Sequence, residues 1–459
     1  VTRPMERVLD LTSLESYAES CRLLAERDFG GLSPAQVAEM SEDYNAYPCL
    51  EDLAEPCRLI CLEDRLNDSL RERARQAVLD GRVFWEHTAA GEATRLKLGP
   101  KYLIHPHRVP LVREYLADSL LEPEHAVGDD AADWARFQGN LVNPQRLMPL
   151  PLGARHLWQW AFEITRLAEE AGLSPSEVLA RQKLLLVVGE STRAEIVRRI
   201  LAADFLGLPP ENFLFMVQAA FPGLTQGPEG WRFDPDTPAR LHNHGQMAMQ
   251  KTMEGQIFHL DREGREHHLS RDEYFQRLAE ADDLVSYNIE DLDYLTRALD
   301  FDTIGLALSL GDEGYGMSME IVANHPEHPI KGGLCAHDPA LGRDVVIESF
   351  RLRGLAPADL KFLNKNFNHY PHPAELFQRL HREGLFMPVK VEDQALYFQP
   401  VQGDLNFLVE TAFITRCRPQ PLSSWKSPDD TPAALEAMAR QDAQPGFADF
   451  IQRQIHRDS

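Results

Sequence analysis

Cysteine is scarce. Six in 459 residues are too few for the disulfide framework that small secreted folds need. Four of them, Cys21, Cys49, Cys57 and Cys61, lie early in the chain. Their spacing lacks the paired short knuckles of a zinc site, and they are expected as buried, reduced thiols. Apolar runs approaching the ~18 residues of a membrane span are missing, and no basic-then-apolar leader stands at the start. A cytoplasmic protein without membrane contact is the expectation. Positive charge is also short: Lys and Arg total 47 against 71 Asp and Glu, a formal −24. That balance argues against a general basic surface wrapping nucleic acid, yet a few aimed cations can still surround a small anion. No internal repeat is found, and nothing marks a protein partner. The 43% hydrophobic and 26% charged residues that make up most of the rest are ordinary for a large globular protein of two or three domains.

The first eighty-one residues read as helical. Ser33-Pro34-Ala35-Gln36 combines an N-cap serine, a proline at the first helical position and a capping-box glutamine. Ser69 to Leu79 is rich in helix formers, with Gly81 placed to end it. From Val83-Phe84-Trp85 onward, short apolar runs alternate with helical periodicity. Leu184–Val188, Phe213–Val217 and Leu284–Tyr287 read as buried strands, and Thr303–Leu310 as a further one. Helices are expected over Ser191–Leu206 and through Leu292, Leu295 and Leu299. The fold class is therefore α/β, a Rossmann-like core with a mostly parallel sheet over residues 82–380. A helical N-terminal region covers 1–81, an insertion about 105–150, and a small C-terminal region 381–459. Residues 223–240 read as turn-rich, and the stretch from Trp425 on as polar with helical signals, a tail packed on the surface or partly mobile. Ligands of such sheets sit at the carboxyl ends of strands.

The richest stretch follows the first strand: Ala89-Ala90-Gly91-Glu92-Ala93-Thr94-Arg95-Leu96-Lys97-Leu98-Gly99-Pro100-Lys101. A small-residue loop leaving a strand lets backbone N–H groups approach a phosphate, and Arg95 and Lys101 add positive charge there. The stretch resembles the loop A-G-G-x-G-T-R-L-G followed by P-K of the UDP-glucose and UDP-N-acetylhexosamine pyrophosphorylase superfamily. Further elements resemble that superfamily in order along residues 82–418. They are Ser191-Thr192, Phe215-Met216-Val217-Gln218, His244-Gly245, Asn288-Ile289-Glu290-Asp291-Leu292, Lys331-Gly332-Gly333, Glu348, Asn364-Lys365-Asn366 and Val409-Glu410-Thr411-Ala412.

The resemblance implies a set of roles. Arg95 and Lys101 would neutralise the reacting phosphates, and Ala90, Gly91, Gln218, His244 and Gly245 would bind the nucleotide. Asn288, Lys331, Gly332, Gly333, Glu348 and Asn366 would bind the sugar phosphate, and Glu290 a magnesium ion. The chain also departs from the pattern. Ala90 and Ala93 replace glycines, which crowds the phosphates if the backbone there needs positive φ. Glu290 replaces an aspartate, and Asn243 and Gln246 flank His244-Gly245. A late lysine has no clean match: Lys390 has the right surroundings but precedes Glu410, whereas Arg416, with Lys426 a few residues on, has the right order.

The implied activity is a UTP-dependent uridylyltransferase. It would join a sugar-1-phosphate, glucose-1-phosphate first, to UMP and release pyrophosphate. An N-acetylhexosamine-1-phosphate substrate, or a sugar-nucleotide-binding protein without turnover, is the alternative. The histidines offer a rival reading, a metal-dependent hydrolase built on His242, His244, His259, His267, His268, His325 and His328. Against it, neighbours on a strand face opposite ways and Pro326 breaks any helix that would aim His325 and His328 together.

Overall fold

The computed structural model describes residues 9–48, 50–91, 96–109, 130–139, 147–324, 332–356, 359–417 and 424–455. Of Asn366 only the backbone is described. Cys49, Ala93, Arg95, His325, His328 and Lys331 lie outside these residues.

The parallel heart of the molecule is β2 (Val83–Thr88), β3 (Lys183–Gly189), β4 (Phe213–Gln218) and β11 (Asp283–Asn288), in the order β11-β2-β3-β4. Beyond β11 come β15 (Phe362–Pro371), β12 (Met317–Ala323), β18 (Thr411–Thr415) and β1 (Ile60–Cys61). Beyond β4 come β9 (Phe258–Leu260) and β10 (Glu266–His268). The antiparallel hairpin β13 (Gly333–Asp338) and β14 (Arg343–Glu348) joins through β15, giving twelve strands. Only β15, β9 and the hairpin interrupt the parallel pattern. The sheet also crosses both expected boundaries, because β1 comes from the first eighty-one residues and β18 from the last eighty.

Both faces of the sheet are covered, which explains the continuous apolar runs. Trp85, Leu184, Leu186, Phe213 and Val285 enter one core, with helices Leu152–Glu170, Thr431–Asp442 and Phe447–Ile455. Phe84, Leu185, Val187, Leu214 and Leu284 enter the other, with helices Leu14–Phe29, Arg271–Ala279 and Pro373–Glu383. The side chains alternate with the period of two that a strand imposes. Local signals act as read at Pro34–Asn45, whose cap Ser33 accepts from Gln36 N and makes the full capping box, and at Gly81, whose φ of 69° ends helix Asp68–Leu79.

Four expectations are corrected. Thr303–Leu310 is not a strand but lies in helix Phe301–Asp312, capped by Asp300 accepting from Thr303 N. A helix buried nearly all round shows the same continuous apolar run as a buried strand, so periodicity could not separate them. Gly305 seats that helix on its neighbour, since a Cβ there would lie 2.4 Å from Leu70 O. The helix expected through Leu299 is one short 3₁₀ turn, Leu292–Leu295. The turn-rich stretch holds a hairpin, β6 (Leu224–Gly227) and β7 (Gly230–Phe233), which forms a small sheet with β16 (Val389–Glu392) and β17 (Ala395–Phe398). Around that hairpin β5 (Ala220–Phe221) and β8 (Arg240–Leu241) close the stretch as an antiparallel pair. The tail is not a surface appendage either: Trp425 is fully buried, and Ala434, Met438, Phe447 and Ile451 pack into the first core. Among the described residues no helix is long and apolar enough to cross a membrane.

Candidate active site

The topology places the site. The chain steps from β2 outward to β3 and β4, then returns on the far side of β2 as β11. The crevice between the carboxyl ends of β2 and β11 is thus a topological switch point, where the departing loops diverge. Thr88 stands opposite Asn288 in the β2–β11 ladder, and Gly189 opposite Gln218 in the β3–β4 ladder. A cavity of about 400 Å³ opens over these ends, lined by Thr88, Ala90, Gly91, Lys101, Gln218, Asn243, His244, Asn288 and Glu290 among others.

Both ends of the loop after β2 are tied down. Ala89 N donates to Val187 O at 2.8 Å, and Lys101 N donates to Gly91 O at 3.1 Å. Positive φ in the described part of this loop falls on Lys97 (53°) and Gly99 (87°), not on Ala90. The condition under which the Ala90 methyl would be strained is therefore absent, and that methyl is buried against the second core.

The charges converge on one carboxylate. Lys101 Nζ pairs with Glu290 Oε2, and Lys426 Nζ pairs with Glu290 Oε1 at 2.8 Å. Burial opposes the charge of Glu290, but the Lys426 and Lys101 ammonium groups outweigh it and hold the carboxyl below its ordinary range. Lys426 reaches this position because Trp425 N donates to Glu290 O at 3.0 Å and Ser424 bridges Asp291. Lys390, the better sequence match for a late lysine, pairs instead with Glu392 on the small sheet. Buried Trp425 was the available signal for Lys426, being an aromatic anchor directly before a lysine in polar surroundings. Asp291 does not cap the following turn with its side chain. Its carboxylate accepts from Asn288 N at 3.3 Å, and burial together with neighbouring Glu290 pushes its pKa up to about 7.

A polar ladder fixes the opposite wall. Gln218 Nε2 donates to Asn243 O at 3.1 Å, Gln246 Nε2 to Ala219 O at 3.0 Å, and Gln250 Nε2 to Val217 O at 2.8 Å. These bonds staple helix Asn243–Gln250 to the end of β4. Beneath it the fully buried Lys251–Glu86 ion pair, with Ser286 Oγ also donating to Glu86, anchors the same helix to β2 and β11. His244 is exposed on the cavity wall, its N–H donating to Asn243 Oδ1 at 2.8 Å. Gly245 serves packing: its N donates to Pro400 O at 3.0 Å, and a Cβ would lie 2.4 Å from Pro400 C. The Gln246–Gln250 ladder was missed in the sequence, where glutamines on a helix read as solvated.

Of the residues expected on the sugar side, Gly333 and Glu348 lie on the β13–β14 hairpin, whereas Asn288 ends β11 and Asn366 lies in β15. Gly333 and Glu348 are cross-strand partners, and a Cβ on Gly333 would lie 3.3 Å from Glu348 Oε1. Burial, with Asp404 nearby, pushes Glu348 up to about 7 against the pull of Lys426 and Arg351. Gly332, Gly333 and Glu348 do not line the same cavity as Lys101 and Gln218. Among the described residues, the histidines of the rival reading do not converge. His242 is buried against Tyr17, His259 and His267 stack as register partners of β9 and β10, and His268 bonds Gly255 O. None of these joins a group of ligands close enough to share an ion among the described residues.

No family model and no curated protein sequence matches the chain. Solved structures do. The chain is similar to the uridine diphosphate N-acetylglucosamine pyrophosphorylase of Trypanosoma brucei in complex with inhibitor, at 14% identity and a TM-score of 0.56, over 95% of this chain and 82% of that one. It is similar to a single-site mutant of Leishmania major UDP-glucose pyrophosphorylase in complex with UDP-glucose, at 13% identity and a TM-score of 0.54, over 91% and 78%. A putative UDP-N-acetylglucosamine pyrophosphorylase of Entamoeba histolytica matches at 13% identity and a TM-score of 0.50, over 82% and 86%. The likeness is one of fold, a Rossmann-like α/β architecture over most of the chain.

Proposed function

We propose that this protein is a uridylyltransferase that joins a sugar-1-phosphate, glucose-1-phosphate first, to the UMP portion of UTP with release of pyrophosphate. One observation carries the reading: Lys101 and Lys426 meet at Glu290 in the crevice whose other wall is Gln218. The reaction brings two polyanions together for in-line displacement at the α-phosphorus, so it needs positioned positive charge rather than a covalent nucleophile. Glu290 holds both ammonium groups ready, and incoming phosphate oxygens would take over those contacts. Gln218 spends its amide N–H on Asn243 O, which leaves the amide oxygen to accept from uracil N3–H. Backbone N–H groups of the loop after β2 would face the phosphates, and Glu348, its carboxyl raised by burial to about 7, would hydrogen-bond a sugar hydroxyl.

The donor chemistry suits magnesium, which takes one or two carboxylates and completes its shell with phosphate oxygens and water. Glu290, whose two oxygens here carry Lys101 and Lys426, would hold it once phosphate oxygens take over those ammonium groups, and the ion would add charge neutralisation at the phosphates. The test is release of pyrophosphate from UTP with a panel of sugar-1-phosphates, with and without magnesium. Turnover with one or more members supports the proposal; UDP-sugar binding with no release from any member favours a non-catalytic binder.

A further inference from the structure

We propose that Cys57, His337 and Asp344 form a binding site for a divalent transition-metal cation, zinc first, that clips residues 54–58 onto the β13–β14 hairpin. The expectation of buried thiols fails here: Cys57 is exposed at the surface. Its sulfur lies 3.2 Å from His337 Nδ1 and 3.7 Å from Asp344 Oδ1, and His337 Nδ1 lies 2.8 Å from Asp344 Oδ1. Three ligand types of different hardness, drawn from residues some 280 positions apart in the chain, thus aim at one point.

The backbone makes this convergence. His337 and Asp344 are cross-strand partners in the β13–β14 ladder, so their side chains share a face. Ala54 exchanges both backbone hydrogen bonds with His337, at 3.0 and 2.9 Å, and so lays the 54–58 segment alongside. Asp344 then accepts from Cys57 N at 3.2 Å and from Arg58 N at 2.7 Å, which fixes the carboxylate and the turn that presents the thiol.

Zinc–sulfur and zinc–nitrogen bonds of about 2.3 and 2.0–2.1 Å give tetrahedral ligand–ligand edges of roughly 3.3–3.6 Å. The observed sulfur edges, 3.2 and 3.7 Å, need adjustments of only a few tenths of an ångström, and the imidazole–carboxylate edge must open by about half an ångström on that geometry. Binding replaces the Cys57 S–H proton, which leaves to solvent, and uses the Nδ1 lone pair of neutral His337. The solvent side leaves a fourth position for water. Thiolate with imidazole selects zinc or cobalt over magnesium or calcium.

A second cluster, Cys61, Asp64 and Cys417, begins three residues beyond that segment, with the two sulfurs 2.7 Å apart. The experiment therefore separates the two. The full chain, stripped with chelator and kept reduced, is titrated with cobalt(II) and then zinc(II). Expected are one equivalent of tetrahedral cobalt absorption with a sulfur-to-cobalt band and displacement by zinc. Affinity should fall at least about tenfold in Cys57→Ser and in His337→Ala but be unchanged in Cys61→Ser/Cys417→Ser. In the unaltered chain, stoichiometric zinc should slow alkylation of Cys57, read by mass spectrometry, which needs no variant. Absence of saturable binding overturns the proposal. So does binding that survives Cys57→Ser but is lost in Cys61→Ser/Cys417→Ser, and so does bound zinc that leaves Cys57 alkylation unchanged.

Discussion

Replacing Lys101 with alanine separates a reacting-phosphate role from a structural one, because the structure predicts unequal losses. The Lys101 and Glu290 side chains are 11% and 14% exposed, which would make this a costly pair to break if it stood alone. A buried charge stripped of its partner costs about 3–5 kcal/mol. Glu290, however, keeps Lys426 at 2.8 Å, and that side chain is 36% exposed. The carboxylate stays paired, so Lys101→Ala should lose only about 1 kcal/mol of stability, the range of a partly screened pair. Lys426→Ala should behave alike. Removing both strands the carboxylate, and the loss should rise to about 3–5 kcal/mol, more than the sum of the single losses. Turnover should respond differently: loss of one preorganised charge at the reacting phosphates costs about 10²–10³ in kcat, equivalent to 2.7–4 kcal/mol. Urea denaturation reads the first quantity and pyrophosphate release at saturating UTP the second. If Lys101→Ala lost as much stability as transition-state energy, or kept full turnover, the lysine would be a structural ion pair and the reasoning would fail.

Four other expectations follow from the same geometry. Gln218→Leu should weaken UTP by about 1–3 kcal/mol through the unmatched uracil N–H and erase the preference for UTP over CTP; an unchanged UTP-to-CTP ratio removes the base contact. Gly245→Ala puts a methyl into the Pro400–Val401 backbone, and should cost about 1–3 kcal/mol or more in denaturation by overpacking. Asp291, buried with its pKa raised to about 7, binds a proton in the folded state that it has lost in the unfolded chain above about pH 4. Stability should therefore fall as pH rises from about 4 to 7, by on the order of 4 kcal/mol from this group alone. Asp291→Asn should flatten that slope in pH-dependent denaturation and be the more stable protein at pH 8. Trp425→Ala should cost about 3–5 kcal/mol as a large core truncation, and it should lower kcat beyond what Lys426→Ala does alone if the anchored backbone at Glu290 O matters.

The central strands were legible because physics made them conspicuous. Val83–Trp85, Leu184–Val188, Phe213–Val217 and Leu284–Tyr287 are covered on both faces, and nothing else in the chain but a fully buried helix gives so dense an apolar run. Phe301–Asp312 is that exception, and its cap Asp300 was the local signal passed over. The C-terminal helices were legible as helices, but their burial was not, because they fill the core with Ala434, Ala437 and a few aromatics between charged residues, a pattern that reads as solvated. Gln218 and Asn288 were legible as residues at strand ends, since topology alone gathers those. Lys426 was not, because its place depends on a tertiary contact, Trp425 N to Glu290 O, that no local motif encodes; wording favoured Lys390, whereas geometry favours Lys426.

For an acidic chain of formal charge −24, the proposed binding of a polyphosphate poses two problems at once, attracting an anion and keeping the chain's own cations in place before the anion arrives. Glu290 addresses both. As a carboxylate it fixes two flexible lysines that would otherwise lose rotamer entropy on binding. Because one oxygen serves each ammonium group, neither lysine has to move far when phosphate oxygens compete for it. Aspartate, shorter by one methylene, would have to reach both lysines from a backbone position that Trp425 N already pins. On this geometry the glutamate is a fit to the second lysine, and the identity of residue 290 and the late position of Lys426 in the chain are two sides of one arrangement.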